Sequence, residues 1–192
     1  MLKTLTPILT IQHGLAIASA GCLAACVTVV PAGNYVQVSE LPPASDVNHS
    51  NYHFRVAPVT ATTQETPWRV FLNKSDPRNT VMQTGLLGQT HTVSVLFKHR
   101  NIDAARLPQF AEAIYKGGNF QPMPSNPDCV RSDPAHSLQL SPESRGFVAI
   151  CINRETGDVV ELKILEKSDV AHKESPGLFK AMMTFFESFR FK

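Results

Sequence analysis

Most of the residue patterns that announce a chemistry are missing from this chain. No run of basic side chains interleaved with aromatics occurs, and Lys plus Arg exceed Asp plus Glu by only two across 192 residues. The electrostatic footprint of a nucleic-acid binder is therefore absent. The four cysteines are badly spaced for zinc: Cys22 and Cys26 stand four apart, whereas Cys129 and Cys151 follow far along the chain, where a second ligand pair would need to be close. There is no nucleophile elbow, phosphate loop, zinc-ligand helix or dinucleotide fingerprint. These absences argue for a protein that is not an enzyme and uses neither cofactor nor metal. Fourteen prolines, by contrast, exceed average usage, and they gather in 31–67 and 121–142, which reads as linker and long loop.

The N-terminus is where a signal first appears. Met1-Leu2-Lys3 is a short positive start, Leu5 to Ala20 is apolar except at Gln12-His13, and small residues follow. That is the order of regions in a secretory signal. Leu23-Ala24-Ala25-Cys26 resembles the lipobox of bacterial lipoproteins, in which a Leu three before a Cys and small residues just before it direct a dedicated peptidase. The resemblance implies a signal peptide over 1–25 and a mature chain that begins at Cys26 with its thiol carrying acyl chains of the palmitate kind. Cleavage after Ala18-Ser19-Ala20, or retention of Leu5 to Val30 as a signal anchor, are the competing readings, and all three export the remainder. Several acyl chains hold a protein firmly, since each buried CH₂ contributes about 0.8 kcal/mol. Val27, rather than Asp, follows the Cys, and by the family's sorting rule this implies an outer-membrane lipoprotein facing the periplasm.

From Cys26 to His53 no period is sustained and prolines stand at 31, 42 and 43, so 26–53 reads as a flexible tether. His49 and His53 read as solvated loop histidines. Asn48-His49-Ser50 and Asn73-Lys74-Ser75 fit the glycosylation pattern, which a bacterial lipoprotein would not normally use. The globular domain is expected over 54–192. "FRVAPVT" (54–60), "WRVFL" (68–72) and "HTVSVLFK" (91–98) are rich in β-branched and aromatic residues and predict strands. Between the last two, Asp76-Pro77 and Gly85-Leu86-Leu87-Gly88 signal turns, and the Gly85–Gly88 loop tip is a candidate partner contact.

Leu107, Phe110, Ala111 and Ile114 recur at helical spacing, with Asp103 as a cap and Pro108 confined to the first turn, so a helix is predicted over 107–116. Tyr115 reads as half-buried. The proline-rich stretch 119–143 predicts a long loop, and a loop of that length is functional or pinned. A pin is available, because in an exported chain Cys129 and Cys151 are the only unmodified thiols left outside the leader. They are expected to form a disulfide bond.

Two alternating runs in 145–167 flank Arg154-Glu155-Thr156-Gly157 and predict a β-hairpin. Its first strand looks covered on both faces, while Glu161 and Lys163 place a wet face on the second. Ser175 and Pro176 open a last helix with Leu178, Met182, Phe185, Phe186 and Phe189 on one stripe. This hairpin, helix and terminal "SFRF" resemble the closing segment of PsbP-like folds and the C-terminal domain of TonB-type transducers, although no Trp-x-Phe-x-Pro strand follows the helix. The resemblance implies a fold and carries no functional residues. The expectation is an α+β domain with an antiparallel sheet of about five strands against one or two helices.

The function expected is a non-enzymatic envelope lipoprotein that binds another envelope protein as an assembly subunit of a transport or secretion machine. The alternative is a periplasmic inhibitor or immunity-type protein that blocks a toxin or hydrolase. Histidines 91, 99 and 136 would suggest chemistry only if they converged with acids in a pocket.

Overall fold

The structure, a computed structural model, describes residues 34–42, 44–57, 68–84, 90–167 and 176–192. Its framework is a nine-stranded antiparallel sheet built on the hairpin that alternation predicts. Strands β10 (Ser144–Ile152) and β11 (Val159–Lys167) pair over their whole length. Gly157, with φ +71°, takes the left-handed position that closes the loop. Gly146 is needed for a different reason: a Cβ there would stand 1.8 Å from the Ile164 carbonyl oxygen of the paired strand.

Outward from this hairpin on one side lie β6 (Thr90–Phe97), β5 (Thr80–Thr84), β4 (Trp68–Asn73) and β1 (Tyr35–Leu41). On the other side lie β8 (Asn126–Arg131) and β7 (Gln121–Met123), and β9 (Leu138–Ser141) pairs with the start of β10. A second sheet of three short strands runs β12 (Arg190–Phe191), β3 (Tyr52–Val56), β2 (Ser45–Asn48). Two α-helices, α1 (Leu107–Ile114) and α2 (Pro176–Ser188), complete the described elements.

The strict alternation of β10 divides the interior. Phe147, Ala149 and Cys151 enter a core with Trp68, Phe54, Phe185, Phe186 and Phe189, which α2 and the small sheet close. Val148, Ile150 and Ile152 enter a second core with Leu107, Ala111 and Phe120, which α1 closes. Phe185 packs edge-on against Phe54 with ring centroids 4.9 Å apart, so the terminal helix lies on its own sheet as the aromatic stripe predicts. The side chains of Leu178 and Met182 lie outside the described residues.

The class is α+β, but the sheet is larger than about five strands. Three stretches differ from expectation. Within the expected tether 26–53, Tyr35–Leu41 and Ser45–Asn48 form β1 and β2, which pair with β4 and β3. Five of the seven residues of β1 are exposed, so it carries no two-residue hydrophobic alternation to read. Residues 119–143 are not one loop but contain β7, β8 and β9. Pro122 is accommodated because β7 is an edge strand, and Pro127 precedes the part of β8, Cys129–Arg131, that pairs with β10. Thr80–Thr84 is a strand where only turns are expected. Helix α1 starts as predicted, with Pro108 in its first turn after a single 3-10 turn, Ala104–Arg106, capped by the Asp103 carboxylate on the Ala105 amide.

Candidate functional site

Cys129 and Cys151 face each other across β8 and β10 and are joined by a disulfide, their Cα atoms 4.1 Å apart. The pair expected to pin a loop instead staples two strands, in the middle of the aromatic core. Gly85, Leu86, Leu87 and Gly88, the expected partner contact, lie outside the described residues, as does Cys26.

The three histidines do not converge. His91 is fully buried, with its ring edge-on to Trp68 at 4.6 Å and 5.0 Å from Phe185. His99 donates its Nδ1 hydrogen to the Thr156 carbonyl at 2.9 Å, and His136 stands exposed beside Asp133 at 3.3 Å. His49 and His53 sit on the β2–β3 hairpin rather than in a free loop, His49 stacked on Tyr52 at 4.5 Å. Among the described residues no group of three or more His, Cys, Asp or Glu side chains is placed to hold a metal ion.

Glu161 is the one acid whose position differs from the wet face that alternation predicts. It is 2% exposed rather than solvated. Its carboxylate accepts the Tyr115 hydroxyl hydrogen and stands 2.6 Å from the Lys163 ammonium. Alternation places it correctly on the face opposite Val160 and Leu162, but α1 delivers Tyr115 over that face, and no two-residue pattern shows where a helix will land. Burial, and then the hydrogen bond to Glu161, push the phenol of Tyr115 up from its ordinary value.

A second polar knot ties three loops together. Arg78 bonds Asp76 at 2.8 Å and Asp158 at 2.6 Å, and Asp158 also accepts the His99 amide at 3.1 Å. Arg78 and Lys98 hold the Asp76 carboxyl well below the usual carboxylate range. The loop that follows β6 is consequently fixed in an uncommon shape. His99 and Asn101 take φ of 52° and 45° on either side of Arg100, and the Arg100 and Asn101 amides both donate to the Gly157 carbonyl, at 2.7 and 3.4 Å. Left-handed non-glycine residues cost free energy and persist where surrounding structure dictates them. The run "KHRN" after a strand holds residue types that tolerate this conformation, which is the one sign of it in the sequence.

Two surfaces follow from these placements. One is the sheet edge. No described strand pairs with the outer side of β1, where Val36 and Val38 are 41% and 50% exposed. The opposite edge is protected by its shortness and by Pro122, as sheet edges commonly are; β1 has neither proline nor lysine, and its register shift between Gln37 and Ser39 is its one irregularity. The other surface is aromatic and basic. Phe97 is 37% exposed, with the Arg100 guanidinium 5.4 Å over its ring and Phe110 edge-on at 5.8 Å.

No family model, no curated protein and no solved structure matches the chain. No helix among the described residues is long and apolar enough to cross a membrane.

Proposed function

We propose that this protein is a non-enzymatic lipoprotein of the bacterial outer membrane, anchored through Cys26, whose α+β domain holds another envelope protein by its open β1 edge and serves as an assembly subunit of a transport or secretion machine. The observation that carries the proposal is the edge itself. A seven-residue strand whose outer side meets no described strand is a template for an added strand, in which main-chain bonds give affinity and side chains give selectivity. The Leu23-Ala24-Ala25-Cys26 pattern and the Cys129–Cys151 disulfide both favour an exported, oxidising location. The anchored Cys26 precedes Tyr35 by nine residues, so the edge stands within about 30 Å of the bilayer at full extension.

The test is site-specific photo-crosslinking in cells from positions 36 and 38. A crosslink to a component of a transport or secretion assembly supports the proposal. A crosslink to a toxin or hydrolase replaces it with the inhibitor reading, and no protein crosslink from either position overturns it.

A further inference from the structure

The surface formed by β6 and α1 carries two of the four large hydrophobic side chains exposed among the described residues, Phe97 at 37% and Ile114 at 39%. They belong to one strip. Arg106, Phe110 and Ile114 recur every four residues along α1 and the turn before it, on one side of the helix, and Phe110 touches Phe97, over which Arg100 lies. Neither Arg100 nor Arg106 makes an ion pair among the described residues. Both are exposed. Between 97 and 116 the chain carries Arg100, Arg106 and Lys116, besides Lys98, which pairs with Asp76, against Asp103 and Glu112, whose carboxylates accept the backbone amides of Ala105 and Gly117 and form no ion pair with either arginine among the described residues. The loop bearing Arg100 is fixed by Gly157 and Asp158, so its guanidinium is presented without loss of loop freedom on binding.

We infer that this aromatic and basic strip seats on an anionic lipid surface, with Phe97 and Ile114 entering the headgroup layer and Arg100 and Arg106 meeting lipid phosphates. Charge complementarity supports the choice of occupant: exposed apolar side chains beside uncompensated cations match an anionic interface. So does the length of chain that precedes the domain, a step that rests on the anchor at Cys26. Eight residues separate that Cys from β1, and β6 is the third strand inward from β1, about 14 Å at ordinary strand spacing. The strip thus lies within reach of the bilayer that holds the anchor. Seating it would fix the orientation of the domain and present the β1 edge at a set height.

The experiment uses Phe97→Trp in the protein purified from its envelope, added to vesicles with brominated acyl chains. Trp68 is fully buried and shielded from this quencher. Vesicles of phosphatidylglycerol mixed with phosphatidylcholine should quench the introduced indole several-fold more than vesicles of phosphatidylcholine alone. Each cation removed should lower the seated fraction about fivefold relative to the lifted one, so Arg100→Glu with Arg106→Glu should abolish the difference at an unchanged melting temperature. Equal quenching in both vesicle types, or none in either, overturns the inference, as does a crosslink from position 97 to a protein in place of lipid. Flotation of the unsubstituted protein reads the anchor separately. A chain that floats with phosphatidylcholine yet shows no quenching loses the strip and keeps the anchor. One that floats only with anionic lipid keeps the strip and loses the anchor. Should Phe97→Trp fail to fold, flotation of the Cys26→Ser chain, which lacks the anchor, at low and high salt replaces it: anionic-lipid binding that salt weakens in that chain and that the same chain with both arginine substitutions lacks supports the strip, and equal flotation of the two overturns it.

Discussion

Tyr115, the residue that closes α1, gives its hydroxyl hydrogen to the buried carboxylate of Glu161 on the middle of the sheet. The contact joins a helix end to a strand 46 residues away in sequence. A buried carboxylate that loses a donor keeps the desolvation cost without the compensation. Tyr115→Phe should therefore lower stability by about 1.5–3 kcal/mol in urea titration at neutral pH. Glu161→Gln, which keeps the shape and an acceptor oxygen, should be milder, and a larger loss in Gln than in Phe would show that the Lys163 pair, not the phenol, holds the carboxylate.

The Cys129–Cys151 bond closes a loop with a sequence separation of 22. In the chain-entropy account this contributes about 3 kcal/mol, or roughly 6–12 °C in melting temperature for a chain of this size. Non-reducing peptide mapping of the native protein should recover the two cysteines in one linked fragment. Cys129→Ser together with Cys151→Ser should show the lowered melting temperature without reductant. Ready alkylation of both thiols in the native protein would refute the bond.

The anchor proposed at Cys26 makes its own prediction. Mass spectrometry of the mature protein should find an acylated N-terminal Cys26, and Cys26→Ser should abolish the modification. A mature chain starting unmodified at Gly21 would instead mean cleavage after Ala20, and the protein would be free in the periplasm.

What the sequence discloses divides along physical lines. The β10–β11 hairpin, the Pro108 start of α1 and the inward Phe185–Phe186–Phe189 face are legible because burial on a regular element leaves a period. The strand β1 leaves none, being exposed along most of its length. Strands β7 to β9 are hidden by prolines that edge positions and strand ends tolerate. The candidate surfaces are harder still. Phe97 reads as one more apolar residue of β6, and only the left-handed turn at His99 and Asn101 brings Arg100 over its ring. The burial of Glu161 is hidden for the same reason: its cover comes from an element distant in sequence.

His91 and Phe185 provide the last prediction. His91 is buried between Trp68 and Phe185, and neither ring nitrogen has a hydrogen-bond partner among the described residues. Desolvation lowers its pKa from 6.5 to about 3. A depressed folded-state pKa means that the unfolded chain takes up the proton first. Stability is thus fully present above 6.5 and declines as pH falls from there toward 3, by about 2 kcal/mol at pH 5. Asp76, whose folded-state pKa is also depressed, adds to the decline only near and below its ordinary value of 3.8. His91→Leu should remove most of the slope between pH 6.5 and 5, leaving the share of His49, whose pKa partial burial also lowers. Phe185→Ala should cost about 3–5 kcal/mol at neutral pH as a core truncation. It also opens space beside an unpaired nitrogen, where water can enter and solvate the imidazolium. Its deficit relative to the unsubstituted protein should therefore shrink on going from pH 7 to pH 5, as measured by paired urea titrations. A deficit that stays constant across that interval would mean that Phe185 fills volume but does not keep His91 dry.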